Sequence, residues 1–392
     1  MMKERNQKWQ YHMAEGWVEA ILICVFSTVA HAGILRVSLD GDGSDGESWP
    51  TAFTSVSDAI AASASGDSIW VASGTYNETL VLIPGISLYG GFFGSEGDDE
   101  FDLRDWQANE TIIDASGFSV TAVKGASHTV VDGFTVTRAR MKEPFGLGGA
   151  GFQCHGIEMI IRNCDIRNNF LLCYDPYLWC GSGGGILVLD SQVLIENCHI
   201  HNNGTMIRDG DGIAVEELSG DSVVTILNCL IYENPYDGLD IGGGRVTVSN
   251  TTFGLGAEFF DISGSDPFFP VRIVNSIVRS LYPVSYTISN SNVPDHPGNG
   301  NIDEDPQWVD PENGDYRLKL SSPCIDSGTT AGPATDLDGN PRSVDVLGIG
   351  RDGPGAYDMG CYEFQLPKAD LNSDGRVNAC DLFLFEDQWH GQ

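Results

Sequence analysis

Five stretches between residues 160 and 278 repeat one alternation of apolar and polar positions. They are Ile160-Ile-Arg-Asn-Cys-Asp-Ile166, Leu194-Ile-Glu-Asn-Cys-His-Ile200, Thr225-Ile-Leu-Asn-Cys-Leu-Ile231, Thr247-Val-Ser-Asn-Thr-Thr-Phe253 and Arg272-Ile-Val-Asn-Ser-Ile-Val278. Each holds an Asn, at 163, 197, 228, 250 and 275. The residue two before that Asn (Ile161, Ile195, Ile226, Val248, Ile273) and the residue three after it (Ile166, Ile200, Ile231, Phe253, Val278) are apolar every time. Period-two patterning on both sides of a fixed Asn predicts two short strands joined by a turn. The steps between the Asn residues, 34, 31, 22 and 25, include the length of one solenoid coil, and the longer steps predict loops inserted at 170–183 and 204–211.

If the coils stack at the ordinary inter-strand spacing, every aligned column becomes a ladder of side chains. The Asn column is then expected to hydrogen-bond along the stack, as is a second column of Asn169, Asn203 and Asn234. Cys164, Cys198 and Cys229, continued by Thr251 and Ser276, form a column of small residues and read as packing rather than as a metal or redox site. Composition agrees: 48 glycines and few lysines or arginines suit a turn-rich, all-β chain.

The formal charge of −34 argues against nucleic acid or an anionic membrane surface as a partner and favours divalent cations and neutral or cationic glycans. Residues 1–32 read as an export signal: Lys3, Arg5 and Lys8 precede the apolar run Ile21 to Ala30, which ends in Ala30-His31-Ala32. The run is too short for a membrane anchor, so a secreted or cell-surface location is expected. Nine cysteines remain after the signal, an odd number for an oxidising compartment; Cys173 with Cys180 and Cys324 with Cys361 are possible pairs whose connectivity the sequence leaves open.

With the ladder in place, the chain resembles a family of secreted right-handed parallel β-helix proteins related in architecture to pectate lyases. The likeness runs through Asp40-Gly-Asp-Gly-Ser-Asp-Gly-Glu-Ser-Trp49, Gly66-Asp-Ser-Ile-Trp-Val-Ala-Ser-Gly-Thr-Tyr76 and Gly85-Ile-Ser-Leu-Tyr-Gly-Gly-Phe92, and closes with Gly300-Asn-Ile-Asp-Glu-Asp-Pro306, Asp336-Leu-Asp-Gly-Asn-Pro-Arg342 and Asp358-Met-Gly-Cys-Tyr-Glu363. It implies a parallel β-helix with its caps over residues 33–365, including a short N-terminal capping helix, and no particular reaction. The acidic run Asp40 to Glu47 and the Gly-rich stretches at 183–185 and 242–244 read as turns.

Residues 366–392 carry Asp370-Leu-Asn-Ser-Asp-Gly-Arg-Val-Asn-Ala-Cys-Asp381. Asp370, Asn372, Asp374 and Asp381 stand at positions 1, 3, 5 and 12 of a calcium loop, with Gly at position 6 and the carbonyl of Arg376 at position 7. Followed by an apolar helix and preceded by Pro367, the loop resembles a single dockerin repeat, which implies calcium and, less directly, a cohesin partner.

Two sets of side chains are candidates for function. Arg162 and Glu196, one before the Asn, and Arg167, His201, Tyr232 and Arg279, four after it, are expected on an outward face that could bind a saccharide. Asp211 and Asp237, each followed by Gly, and Asp240 are expected on neighbouring coils, where paired carboxylates could act as acid and base on a sugar or bind calcium, with Arg208 and Arg245 beside them. No complete lyase, polygalacturonase or epimerase motif fits these positions. The chain is therefore expected to bind extracellular polysaccharide or another macromolecule along its length, the alternative being a polysaccharide lyase, hydrolase or epimerase.

Overall fold

The computed structural model describes residues 32–142, 148–172, 182–206, 210–256, 260–264, 271–282, 285–350 and 356–366. Within these the chain winds through three long parallel sheets and a short fourth one of three two-residue strands. One coil shows the path. Glu158–Arg162 lies in the first sheet, Asp165–Arg167 in the second and Ile186–Leu189 in the third, before the chain returns to the first sheet at Gln192–Glu196. Among the described residues the three long sheets hold ten, seven and seven strands, all paired in parallel; Trp308–Asp310 and Asp315–Leu318, beyond the coils, pair antiparallel.

The apolar columns of the sequence are the registers of these sheets. Ile161, Ile195, Ile226, Val248 and Ile273 pair in succession across the first sheet. Ile166, Ile200, Ile231 and Phe253 do so across the second. All of them are buried in one continuous core that runs from Val37 to Val293. Coil packing thus removes every inward residue from water, and each inward aliphatic side chain contributes about 1.5–3 kcal/mol of burial.

The turn between the first two sheets explains the repeated Asn. Asn163, Asn197, Asn228, Asn250 and Asn275 have φ of 52°, 52°, 56°, 47° and 50°. That left-handed conformation is one Asn tolerates better than other side-chain-bearing residues. The expected ladder forms over the first three of them: Asn163 Nδ2 donates to Asp132 Oδ1 (2.8 Å), Asn197 Nδ2 to Asn163 Oδ1 (3.2 Å) and Asn228 Nδ2 to Asn197 Oδ1 (2.8 Å). It stops there because Arg342 donates to Asn228 Oδ1, and Asn275 turns to the backbone carbonyls of Thr329 and Ala331.

The second Asn ladder lies wholly inside. Asn203 Oδ1 accepts from the backbone N–H of Asn169 and Asn234 Oδ1 from that of Asn203, both at 3.1 Å, while each Nδ2 reaches the carbonyl of a neighbouring coil. Cys164, Cys198 and Cys229 are buried thiols, as the packing reading requires; Cys324 and Cys361 are buried and free as well, so they do not pair.

A helix at Val56–Ala62 closes the N-terminal end, burying Val56, Ala59 and Ile60. Its first turn is held by Glu78, whose carboxylate accepts from the N–H groups of Val56 (2.8 Å) and Ser57 (2.9 Å). The C-terminal residues from Trp308 to Tyr362 do not continue the coil. They build a second apolar cluster around Tyr316, Ile325 and Met359, which packs on Leu230 and Ile277. Because Ile231 points inward, Leu230 points outward, so this segment lies against the outer face of the second sheet.

Candidate functional site

The fold-back leaves part of that outer face open. Between it and residues 106–110 lies a cleft of about 250 Å³. Its floor is Thr135, Asp165 and His199 from three consecutive coils, one wall is Trp106, Gln107 and Glu110, and the other is Leu337 and Asp338. The ladder residues Asn163 and Asn197 also line it.

Ion pairs hold the polar groups of the cleft in place. Arg167 donates to Asp165 and, at 3.0 Å, to Glu110, which also accepts from Thr135 Oγ1 (2.8 Å). His201 Nε2 lies 3.0 Å from Asp165 Oδ1, and Arg317 Nε donates to Asp338 Oδ2 (2.7 Å). Burial alone would raise the Asp165 carboxyl, but the hydrogen bond from His201 and the charges of His201 and Arg167 hold it below the usual carboxylate range. Burial depresses His199, which keeps its imidazole neutral near pH 7. On the Trp106 wall, Arg104 lies over the indole ring, 5.3 Å from its centroid, and is itself fixed to Asp132. The indole is one-third exposed.

The saccharide-face candidates divide here. Arg167, His201 and Tyr232 share the second sheet, and His201 stacks on Tyr232 with ring centroids 4.6 Å apart and planes 8° from parallel. Tyr232 continues to Tyr316 of the fold-back, 5.3 Å away. Arg279 leaves this face: its guanidinium and backbone N–H both bond Asp261, in the third sheet. Arg162 and Glu196 pair with each other in register at the end of the first sheet, across the Asn turn from the rest; their expected place on one face with Arg167 is thereby corrected.

Asp211, Asp237 and Asp240 lie on adjacent coils at the third sheet, and their surroundings differ. Asp211 is spent on structure, accepting from the N–H and hydroxyl of Thr205 and the N–H of Tyr236. Asp237 is 7% exposed, and its Oδ1 has no partner among the described residues. Burial, reinforced by the charge of Asp240, pushes its carboxyl up to about 6. Asp240 is raised by burial too, and accepts from Ser263 Oγ at 2.7 Å. Arg245 pairs with Asp221, and Arg208 lies outside the described residues. Among the described residues no group of three or more His, Cys, Asp or Glu side chains is arranged to hold a metal ion. The calcium-loop residues Asp370, Asn372, Asp374, Arg376 and Asp381 lie outside the described residues, as do Cys173, Cys180 and residues 1–31.

Sequence reasoning missed Trp106, Glu110 and Asp338, because none belongs to the repeat. The signal for a covered face was present in Cys229-Leu-Ile231: other rungs place Asp165 or His199 where Leu230 stands, and three apolar residues in a row mean that both faces of the strand are buried.

Residues 106–256 match the family model described as a right handed beta helix region. With three all-parallel sheets traversed in a fixed order, this defines the molecule as an all-β, right-handed parallel β-helix. Similar solved structures include pectate lyase Pel9A, 18% identical, with 86% of this chain and 98% of that chain covered and a TM-score of 0.40. Pectin methylesterase PemA from Erwinia chrysanthemi is 11% identical over 69% of this chain and 92% of that one, with a TM-score of 0.43. The A-module of mannuronan C-5 epimerase AlgE4 from Azotobacter vinelandii is 15% identical over 66% and 86%, with a TM-score of 0.29. None of the curated proteins compared matches the chain. These likenesses carry neither a substrate nor a reaction over to it.

Proposed function

We propose that this is a secreted or cell-surface protein that binds polysaccharide on the outer face of its second sheet. The observation that carries the reading is the cleft, where an exposed indole faces polar side chains already fixed by ion pairs. Sugars are recognised by this combination: C–H faces stack on an aromatic ring, and hydroxyl groups bond to oriented acceptors and donors that lose little entropy on binding. The signal-like pattern of residues 1–32 supports a location outside the cell, and the donor set of Asp370, Asn372, Asp374, the Arg376 carbonyl and Asp381 suits calcium, a hard cation that prefers oxygen. A cohesin-type partner for residues 366–392 belongs to the same proposal.

A panel of neutral and charged oligosaccharides, assayed by calorimetry with and without calcium, tests the reading. Binding weakened about tenfold or more by Trp106→Ala is the expected result, given the usual worth of a stacked aromatic contact. Absence of binding across the panel would refute it.

One observation favours a second, catalytic reading. A carboxyl raised to about 6 beside another carboxylate can hold a proton near neutral pH, so Asp237 could protonate a leaving glycosidic oxygen while Asp240 serves as the second carboxylate. Release of reducing ends that Asp237→Asn abolishes would support hydrolysis. Bound glycans that stay intact would eliminate it.

A further inference from the structure

We infer that the sugar held in the cleft carries a cationic amine, so that the preferred ligand is a glycan of free 2-amino sugars rather than a neutral or uronate polymer. This rests on the polysaccharide-binding reading and narrows it. The argument begins with the oxygens the ion pairs leave over. Glu110 uses Oε1 for both Thr135 and Arg167, and Asp338 uses Oδ2 for Arg317. Glu110 Oε2 and Asp338 Oδ1 have no partner among the described residues, and the two side chains are 46% and 24% exposed. Both line the one cleft, Glu110 beside Trp106 in the chain and Asp338 on the C-terminal segment.

The neighbouring cations are already committed. Arg167 donates to Glu110 and Asp165, Arg317 to Asp338 and Asp315, and Arg104 to Asp132 and the carbonyl of Gly90. Among the described residues that line the cleft there is no lysine or arginine, and burial disfavours a charge on His199. A uronate would bring its carboxylate toward Glu110, Asp165 and Asp338, three carboxylates that share only the guanidinium groups of Arg167 and Arg317. An ammonium on the ring, with the apolar ring face on Trp106, would meet a free carboxylate oxygen in the same cleft. The chain's charge of −34 favours the approach of such a ligand at low ionic strength.

The experiment uses the full chain and three β-linked oligomers: one of glucosamine, its fully N-acetylated counterpart, and one of galacturonate. Affinities are measured by calorimetry at mildly acidic pH, where the amines are charged, at low and high salt. The expected result is that the amine oligomer binds about tenfold or more tighter than the acetylated one, with the advantage reduced by salt and by Glu110→Gln combined with Asp338→Asn. Both substitutions preserve shape, and an unchanged thermal midpoint shows that the fold is intact. Equal affinity for the amine and acetylated oligomers would overturn the amine assignment and leave polysaccharide binding standing. Binding of none of the three, with none in the wider panel, would remove polysaccharide binding itself. A lysine oligomer that binds as tightly as the glucosamine oligomer would show a surface that reads charge alone, and would overturn the sugar assignment.

Discussion

Replacing Asn197 separates the two reasons an Asn occupies each corner of the coil. Its φ is 52°, it donates to Asn163 Oδ1 at 3.2 Å, and its own Oδ1 accepts from Asn228 at 2.8 Å. Asn197→Gly keeps the left-handed backbone accessible and removes both bonds, which at about 1 kcal/mol each, with some loss from the greater freedom of glycine when unfolded, gives a destabilisation of about 2–3 kcal/mol. Asn197→Ala removes the same bonds and also forces a Cβ into a conformation that costs about 1–2 kcal/mol, for a total of about 3–4 kcal/mol. Urea unfolding followed by far-ultraviolet circular dichroism measures both, and an unchanged m-value confirms that the solenoid still unfolds as one unit. The alanine variant should be the less stable by about 1 kcal/mol. Equal losses would show that backbone conformation does not select the Asn, and losses below about 0.5 kcal/mol for both would show that the ladder holds nothing together.

Three further outcomes follow from buried groups. The Asp237 carboxyl sits at about 6 in the folded chain, above its unfolded value, so its stabilising contribution is complete below about pH 4 and disappears as pH rises through 6. Between pH 8 and pH 5 it should add about 1–1.5 kcal/mol, a gain that Asp237→Asn abolishes in denaturation curves measured at the two pH values; Asp261, also raised to about 6 by burial, supplies a similar gain that the variant retains. Arg342→Met leaves the buried Glu363 without its cation and Asn228 Oδ1 without a donor, so residues 306–366 should be cut by protease far faster, at a cost of about 3–5 kcal/mol to their docking. Protection equal to wild type would show that Arg342 does not hold the fold-back. Cys164, Cys198 and Cys229 should resist alkylation in the native protein and react fully in denaturant; prompt native modification would contradict their burial.

The coil was legible because its rule is local. Two apolar positions and one left-handed corner recur within seven residues, and stacking converts that pattern into registers such as Ile161 with Ile195 and Ile226. The open face was not legible for the opposite reason. Its walls come from residues far apart in the chain, Trp106 to Glu110 on one side and Leu337 to Asp338 on the other, and the link that seats the second wall joins Arg342 to Asn228 across 114 positions. Spacing also misplaced side chains that follow the same alternation but answer to a stronger partner. Arg279 occupies the same column as Tyr232, yet the buried carboxylate of Asp261 draws it around the corner to the third sheet.

The column of small buried residues has a consequence for how long such a molecule can be. The N–H of Cys198 donates to Cys229 Sγ, that of Cys229 to Thr251 Oγ1, that of Thr251 to Ser276 Oγ and that of Ser276 to Ser291 Oγ. Every bond points the same way, and each coil contributes one donor and one acceptor. Duplicating a whole coil therefore adds a matched pair, and deleting one removes a matched pair, so neither leaves a polar atom stranded in the core. Chain length can change by whole turns at little cost to the interior, whereas a gain or loss of part of a turn breaks the sequence of bonds along with the apolar register.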